Sequence, residues 1–90
     1  MHRRPVSRLA QVFGEWLRER RGDLGLTLRE IIKPTGVAIG WVSELERGIY
    51  NPFHLRFGHI IKLAHTYRLK PIALLTRLVE LAERTGTDHG

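Results

Sequence analysis

His54, His59 and His65 are the side chains of this chain best suited to hold a metal, and their spacing argues against it. They stand five and six apart, so they do not share one helical face as ligands at i and i+4 do. There is no Cys and no cluster of carboxylates beside them, so neither a metal site nor a cofactor is expected. Ser43 has no base at the local spacing that activates a nucleophile, and reads instead as a small residue at a close helix contact. No Walker or dinucleotide-type glycine loop is present. Nothing points to an enzyme. The chemistry that remains is ionic: 15 Lys and Arg face 9 Asp and Glu, a net charge of +6. That balance favours a polyanionic partner, nucleic acid before an anionic membrane, or serves only to keep a small domain in solution.

The elements that must position these charges are helical. The 90 residues make one small domain with a core of about residues 5–85 and a marginal apolar interior, so a partner chain is expected to add stability. Without Cys there is no disulfide. No apolar run approaches the roughly 20 residues of a membrane span. No continuous apolar stretch follows Arg3 and Arg4, so no secretion signal is read and a cytoplasmic location is expected. Residues 1–4 read as a mobile basic arm and 86–90 as a flexible tail. Pro5 opens a first helix over about 5–22, with Leu9, Phe13, Trp16 and Leu17 on one face and Gly22 and Gly25 at its exit.

A second helix covers about 27–33. Thr27 caps it and Glu30, three later, completes a capping box. Pro34 and Gly36 make the turn. A third helix covers about 38–47, with Val42 and Leu45 inward, and Gly48 suits the left-handed position that ends it. Two short helices joined by a tight glycine turn are the pattern of a helix-turn-helix. After a Gly48–Pro52 loop, Asn51 caps and Pro52 opens a fourth helix ending near 67, whose inward stripe is Phe57, Ile60, Ile61, Ala64 and Tyr67. Pro71 opens a fifth, with Leu74, Leu75, Leu78, Leu81 and Ala82 at spacings of three and four up to Thr85. No segment alternates with period two for long enough to argue a strand.

Taken in order, these pieces resemble the Xre or Cro/lambda-repressor-like helix-turn-helix domains over about residues 13–75. The matching pieces are Gly14, Leu17-Arg18 and Arg21; Gly25-Leu26-Thr27 with Glu30 and Ile31; Gly36-Val37; Ser43-Glu44-Leu45-Glu46-Arg47-Gly48; Asn51-Pro52; Leu63-Ala64; and Leu74-Leu75. The resemblance implies an all-α, compact five-helix domain whose second helix lies across the DNA backbone while the third enters the major groove. It also implies an ion pair between Arg21 and Glu46 that ties helix 1 to the end of helix 3.

The sequence departs from that family where bases would be read. Ala38, Ile39, Gly40 and Glu44 stand where polar side chains are usual. Ile39 suits a thymine methyl and Glu44 a cytosine amine, but none offers the bidentate guanine contact of an Arg. Gly40 inside a short helix costs about 1 kcal/mol against Ala and suits a close backbone approach. Trp41 replaces a small polar residue and reads as a DNA wedge, a protein-binding anchor or core folded onto helix 2. Leu28 stands where an amide side chain is usual. The phosphate candidates are Arg29, Lys33, Arg47 and the backbone around Tyr50 and Asn51, with the helix N-termini at Thr27 and Ala38 adding donors. Phe53-His54-Leu55 reads as an insertion of about one helical turn. Helix 5 continues past the family's usual end, and its stripe (Leu74, Leu78, Leu81) reads as a homodimer contact, the alternative being packing on helix 1 through Leu9 and Phe13.

Two functions follow. The first is a sequence-specific, repressor-like DNA-binding transcriptional regulator acting on double-stranded DNA as a homodimer. The second is a protein-binding module on the same fold, with Ile39-Gly40-Trp41 as its anchor and transcription machinery or a toxin as its target.

Overall fold

The structure, a computed structural model, describes residues 4–86. Most of the expected basic arm, residues 1–3, and the tail from 87 lie outside the described residues. Among those described, all regular structure is helical: α1 (Arg8–Leu24), α2 (Leu28–Ile32), α3 (Ile39–Glu46), a 3-10 turn (Pro52–His54), α4 (Phe57–Thr66) and α5 (Pro71–Arg84). No helix among the described residues is long and apolar enough to cross a membrane.

Local sequence explains most of the boundaries. Thr27 and Glu30 form the expected capping box: Glu30 donates its amide to Thr27 Oγ1 at 3.2 Å, and the Thr27 amide donates to Glu30 Oε1 at 2.9 Å. Gly48 ends α3 at φ 75, where its amide donates to Leu45 O and the Ile49 amide to Glu44 O, the paired bonds of a glycine-closed helix end. Two boundaries of α1 differ from expectation. Ser7, not Pro5, starts it, because the Ser7 hydroxyl accepts the Ala10 amide at 3.0 Å. It runs through Gly22 to Leu24 and ends at Gly25, which takes the left-handed conformation at φ 68. A helical glycine only weakens a helix, whereas the left-handed position stops one.

The fourth element also differs. Asn51 caps only the short turn Pro52–His54, accepting the Phe53 amide at 3.0 Å. Leu55 and Arg56 are extended, and α4 starts afresh at Phe57. The extra residues are thus a separate turn, and Phe57, expected on the inward stripe, is 73% exposed.

The core is one cluster centred on α1: Leu9, Phe13 and Leu17 meet Ile31, Val42, Leu45, Leu63, Tyr67, Leu74 and Leu81. Leu74 and Leu81, expected as dimer contacts, are spent here, with Leu78 partly buried against them. The helix carrying them packs on α1 and α4, so the stripe of Leu74, Leu78 and Leu81 is covered by its own chain. Arg77 lies over the Trp16 ring, 5.8 Å from its centre, on the same contact.

The closest backbone approach is α1 on α3 at Gly14. A Cβ there would stand 2.5 Å from Leu45 O and 2.6 Å from Glu46 O. Gly22 has open space around it. Replacing Gly14 by Ala is therefore expected to cost at least about 1–3 kcal/mol through overpacking, while Gly22→Ala gains about 0.5–1 kcal/mol from helix propensity. Urea unfolding of the two variants checks both signs.

Candidate nucleic-acid interface

The position of α3 is set at its C-terminal end. Glu46 is 4% exposed. Its carboxylate accepts two bonds from the Arg21 guanidinium, Nε to Oε2 at 2.9 Å and Nη2 to Oε1 at 2.8 Å. The buried Tyr67 hydroxyl donates to Oε2 at 2.6 Å. Arg21 Nη1 donates to Leu26 O at 3.1 Å, and Arg18 Nη2 to Glu46 O at 3.3 Å. One carboxylate thus joins α1, the approach to α2, the end of α3 and the end of α4. The pairing raises Arg21 further above its ordinary value, chiefly through the hydrogen bond to Glu46. Burial, and then the bond to Glu46, pushes the Tyr67 hydroxyl well above the usual phenol range.

A second clamp lies beside it. Arg20 donates to Tyr67 O at 3.0 Å and Arg68 O at 2.8 Å. Arg68 holds the left-handed position after α4 at φ 57, and its own Nη1 donates to Ile31 O at 2.8 Å and Thr66 O at 2.6 Å. The Thr35 and Thr66 hydroxyls, 2.7 Å apart, tie the turn after α2 to α4.

With its inner side fixed this way, α3 presents Ala38, Ile39, Gly40 and Arg47 to solvent. Ile39 is 40% exposed, and among the described residues nothing beyond Gly40's own stretch of helix comes within 4 Å of where its Cβ would be. Gly40, Glu44 and Arg47 recur at spacings of four and three opposite Val42 and Leu45, so they form the outward ridge. Ala38 offers no side-chain cap. Arg29 and Lys33 on and after α2 are exposed. Thr27 is exposed as well, but its hydroxyl and amide are engaged with Glu30, and the Thr27 amide holds the Glu30 carboxyl below the usual range. Two of the three carboxylates between Thr27 and Asn51 are therefore committed inside the molecule, leaving Glu44 on the ridge.

The aromatic expectations need correction. Trp41 is half-buried and packs against the edge of the core. Tyr50 meets its ring edge-on, with centres 6.1 Å apart, and His59 of α4 leans on it at 5.4 Å. Trp41 and Tyr50 buttress the α3 flank, and Ile39-Gly40-Trp41 is not a bare apolar patch. The Asn51 side chain is spent on its cap.

The structure adds cations that the sequence reading passed over. Arg56 and Lys62 are exposed on and before α4, and the contact of the His59 ring with Trp41 brings this helix beside α3. The signal was present: from Arg47 to Val79 there are six Lys and Arg and no Asp or Glu. The ion-pair network yields a pH test. Because the folded-state value of Tyr67 is the higher one, its contribution is fully present below the unfolded phenol value of about 10 and is lost as pH rises beyond it. Tyr67→Phe is expected to lose about 1.5–3 kcal/mol at neutral pH, as for a bond to a charged acceptor. It should then lose less than the wild type on the way to about pH 11. Urea titrations across that range measure both. Glu46→Gln, which leaves Arg21 without its charged partner, is expected to cost about 3–5 kcal/mol.

With this geometry in hand, the helix-turn-helix domain family matches the chain over residues 12–78. Two crystal structures of the clp gene regulator ClgR from Corynebacterium glutamicum are similar to it, each with a TM-score of 0.63. One is 28% identical, covering 94% of this chain and 99% of that chain. The other is 27% identical, covering 92% and 86%. No curated protein matches.

Proposed function

The chain belongs to the helix-turn-helix domain family, and from that premise we propose that it is a sequence-specific DNA-binding transcriptional regulator. It lays α3 in the major groove, works as a homodimer, and acts repressor-like by occupying its operator. The observation that carries this reading is the outward side of α3, exposed at Ala38, Ile39, Gly40 and Arg47 and half-buried at Glu44, together with the exposed cations Arg29 and Lys33 of α2 and its end. The likeness to a gene regulator over nearly the whole of both chains supports it.

The mechanism follows from what the ridge offers. Arg29, Lys33 and Arg47 supply charge to phosphates, which gives most of the affinity and a steep salt dependence. Arg56 and Lys62 extend the same positive field along α4. Base reading is sparse. Ile39 meets a thymine methyl and Glu44 accepts from a cytosine amine. Gly40 lets the backbone of α3 come close. With so few base contacts, sequence-dependent shape and stiffness of the duplex contribute more of the specificity. In a homodimer the two α3 helices enter successive major grooves about 34 Å apart on a pseudo-palindrome.

A salt-titrated selection of bound duplexes from a random pool tests the reading, and failure to enrich any sequence overturns it. Lys33→Ala and Arg47→Ala are each expected to weaken binding to all sequences and to lower the salt slope by about 1. Gly40→Ala separates fold from contact: with open space around it, the variant gains up to about 1 kcal/mol in stability yet binds its selected duplex more weakly. A Gly40→Ala protein that binds as well as wild type removes Gly40 from the interface.

A further inference from the structure

Two arginines without an acidic partner share a cleft between the first and last helices. Its volume is about 440 Å³, and it is lined by Arg8 and Val12 of α1, Leu81 and Arg84 of α5, and Thr85 just after. That size falls within the roughly 300–1,000 Å³ of small-molecule sites. Further along the same seam Arg77 lies over Trp16, so residue numbers fall along α1 as they rise along α5, and the two helices run antiparallel. Arg8 and Val12 are one turn apart on one face of α1, as are Leu81 and Arg84 on α5. Arg8 is therefore level with Arg84, and Val12 with Leu81. One end of the cleft is cationic and the other apolar.

Neither arginine is neutralised. Both are exposed, and among the described residues neither stands in an ion pair. Arg8 Nη1 donates only to the neutral Gln11 amide oxygen, at 3.2 Å. The nearby carboxylates are turned elsewhere. Glu80 faces Arg77 at 3.6 Å. Glu15 accepts from Gln11 and lines a different cleft with Arg18. Glu83, two residues past Leu81, points to the far side of α5. The Thr85 hydroxyl donates back to Leu81 O at 2.9 Å.

We propose that this cleft binds a small amphiphilic acid, with an oxyanion head between Arg8 and Arg84 and a short apolar body on Val12 and Leu81. Guanidinium groups match carboxylate and phosphate oxygens two at a time. An anion also relieves the repulsion between two like charges on one opening. The floor under the body is apolar, since Leu81 belongs to the core and Val12 packs against it. One helical turn, about 5.4 Å, separates the two ends, which is the reach of about four or five carbons. The cleft lies on the α1–α5 seam, while α3 packs on α1 and α2, so its occupation does not depend on the duplex-binding reading.

Amide NMR of the isotope-labelled chain tests this, with hexanoate and hexyl phosphate as the two probes. At least one is expected to give saturable shifts centred on Arg8, Val12, Leu81 and Thr85, and the tighter of the two names the head. For a ligand of about eight heavy atoms in an open cleft, a Kd on the order of 1 mM is expected. Shortening hexanoate to butyrate is expected to weaken binding about four- to fifteenfold. Hexylammonium, with the same body and the opposite charge, is expected to leave these residues unshifted. The double variant Arg8→Gln with Arg84→Gln is expected to keep the wild-type circular dichroism and to lose at least about tenfold in affinity. Three results overturn the site: no saturable shifts with either acid, equal binding of hexylammonium, or undiminished binding by the double variant. Shifts centred instead on Phe57 and Ile72, along another apolar groove of α5, overturn it too, because they mark apolar adsorption without a place for the charge.

Discussion

The buried Glu46 carboxylate is the constraint on which the rest of the structure depends. It sits at the last residue of α3 and takes three hydrogen bonds, two from Arg21 and one from Tyr67. A carboxylate stripped of water is costly unless paired and fully bonded, so the chain is held to the arrangement that supplies all three donors at once. Those donors come from α1 and α4, and the same Arg21 reaches back to Leu26 ahead of α2. The net stabilisation of such a pair over an apolar replacement is small. Its effect is geometric: a planar, two-bond contact admits one orientation of α3 relative to α1.

Gly14 sets the distance that Glu46 sets the angle for. The α3 carbonyls at Leu45 and Glu46 come so near α1 that no Cβ fits between them. Gly48 repeats the device one turn on: it needs its left-handed conformation, and a Cβ there would press on Gln11 Cα at 3.1 Å. The Val6 amide then donates to Gly48 O at 2.9 Å, tying the segment before α1 to the end of α3. Two glycines and one ion pair thus carry the contact between α1 and α3.

What the sequence made legible was local or paired by type. The capping box at Thr27 and Glu30, the glycine stop at Gly48 and the order of five helices are each written within a few residues, and the structure has them. The Arg21–Glu46 pair was legible only through resemblance, since nothing local links positions 25 apart. Tyr67 was placed correctly on an inward face, but its hydroxyl bond to Glu46 could not be read, because an apolar stripe says nothing about where a phenol's polar end goes. Arg68 gives no local signal for its role, since a charged residue between two helices looks like plain connection. It occupies the left-handed position that glycine usually fills, at a cost of about 1–2 kcal/mol, offset by its bonds to Ile31 O and Thr66 O. The α5 stripe was misassigned because two apolar stripes on one helix look alike in sequence, and only packing against α1 decides which turns inward. On the interface side, Arg29, Lys33 and Arg47 are exposed as their charge suggests, whereas the half-burial of Trp41 depends on Tyr50 and His59, partners nine and eighteen positions away.

So weak a helix can still hold a fixed surface towards solvent. α3 has eight residues, no capping side chain at Ala38 and an internal glycine, and a helix that short is not stable alone. Its order is imposed from its inner side by Val42, Leu45 and Glu46, all of them buried, and from its flank by the Trp41 contacts. Nothing on the outward ridge is needed to hold it. Ile39, Gly40, Glu44 and Arg47 are therefore free of structural duty to a degree that the inner residues are not, and the surface offered to a partner is separable from the frame that offers it. A sparse ridge of one isoleucine, one glycine, one carboxylate and one cation is as compatible with this fold as a richer one would be, so the frame sets the position of α3 and leaves its choice of partner to side chains outside the core.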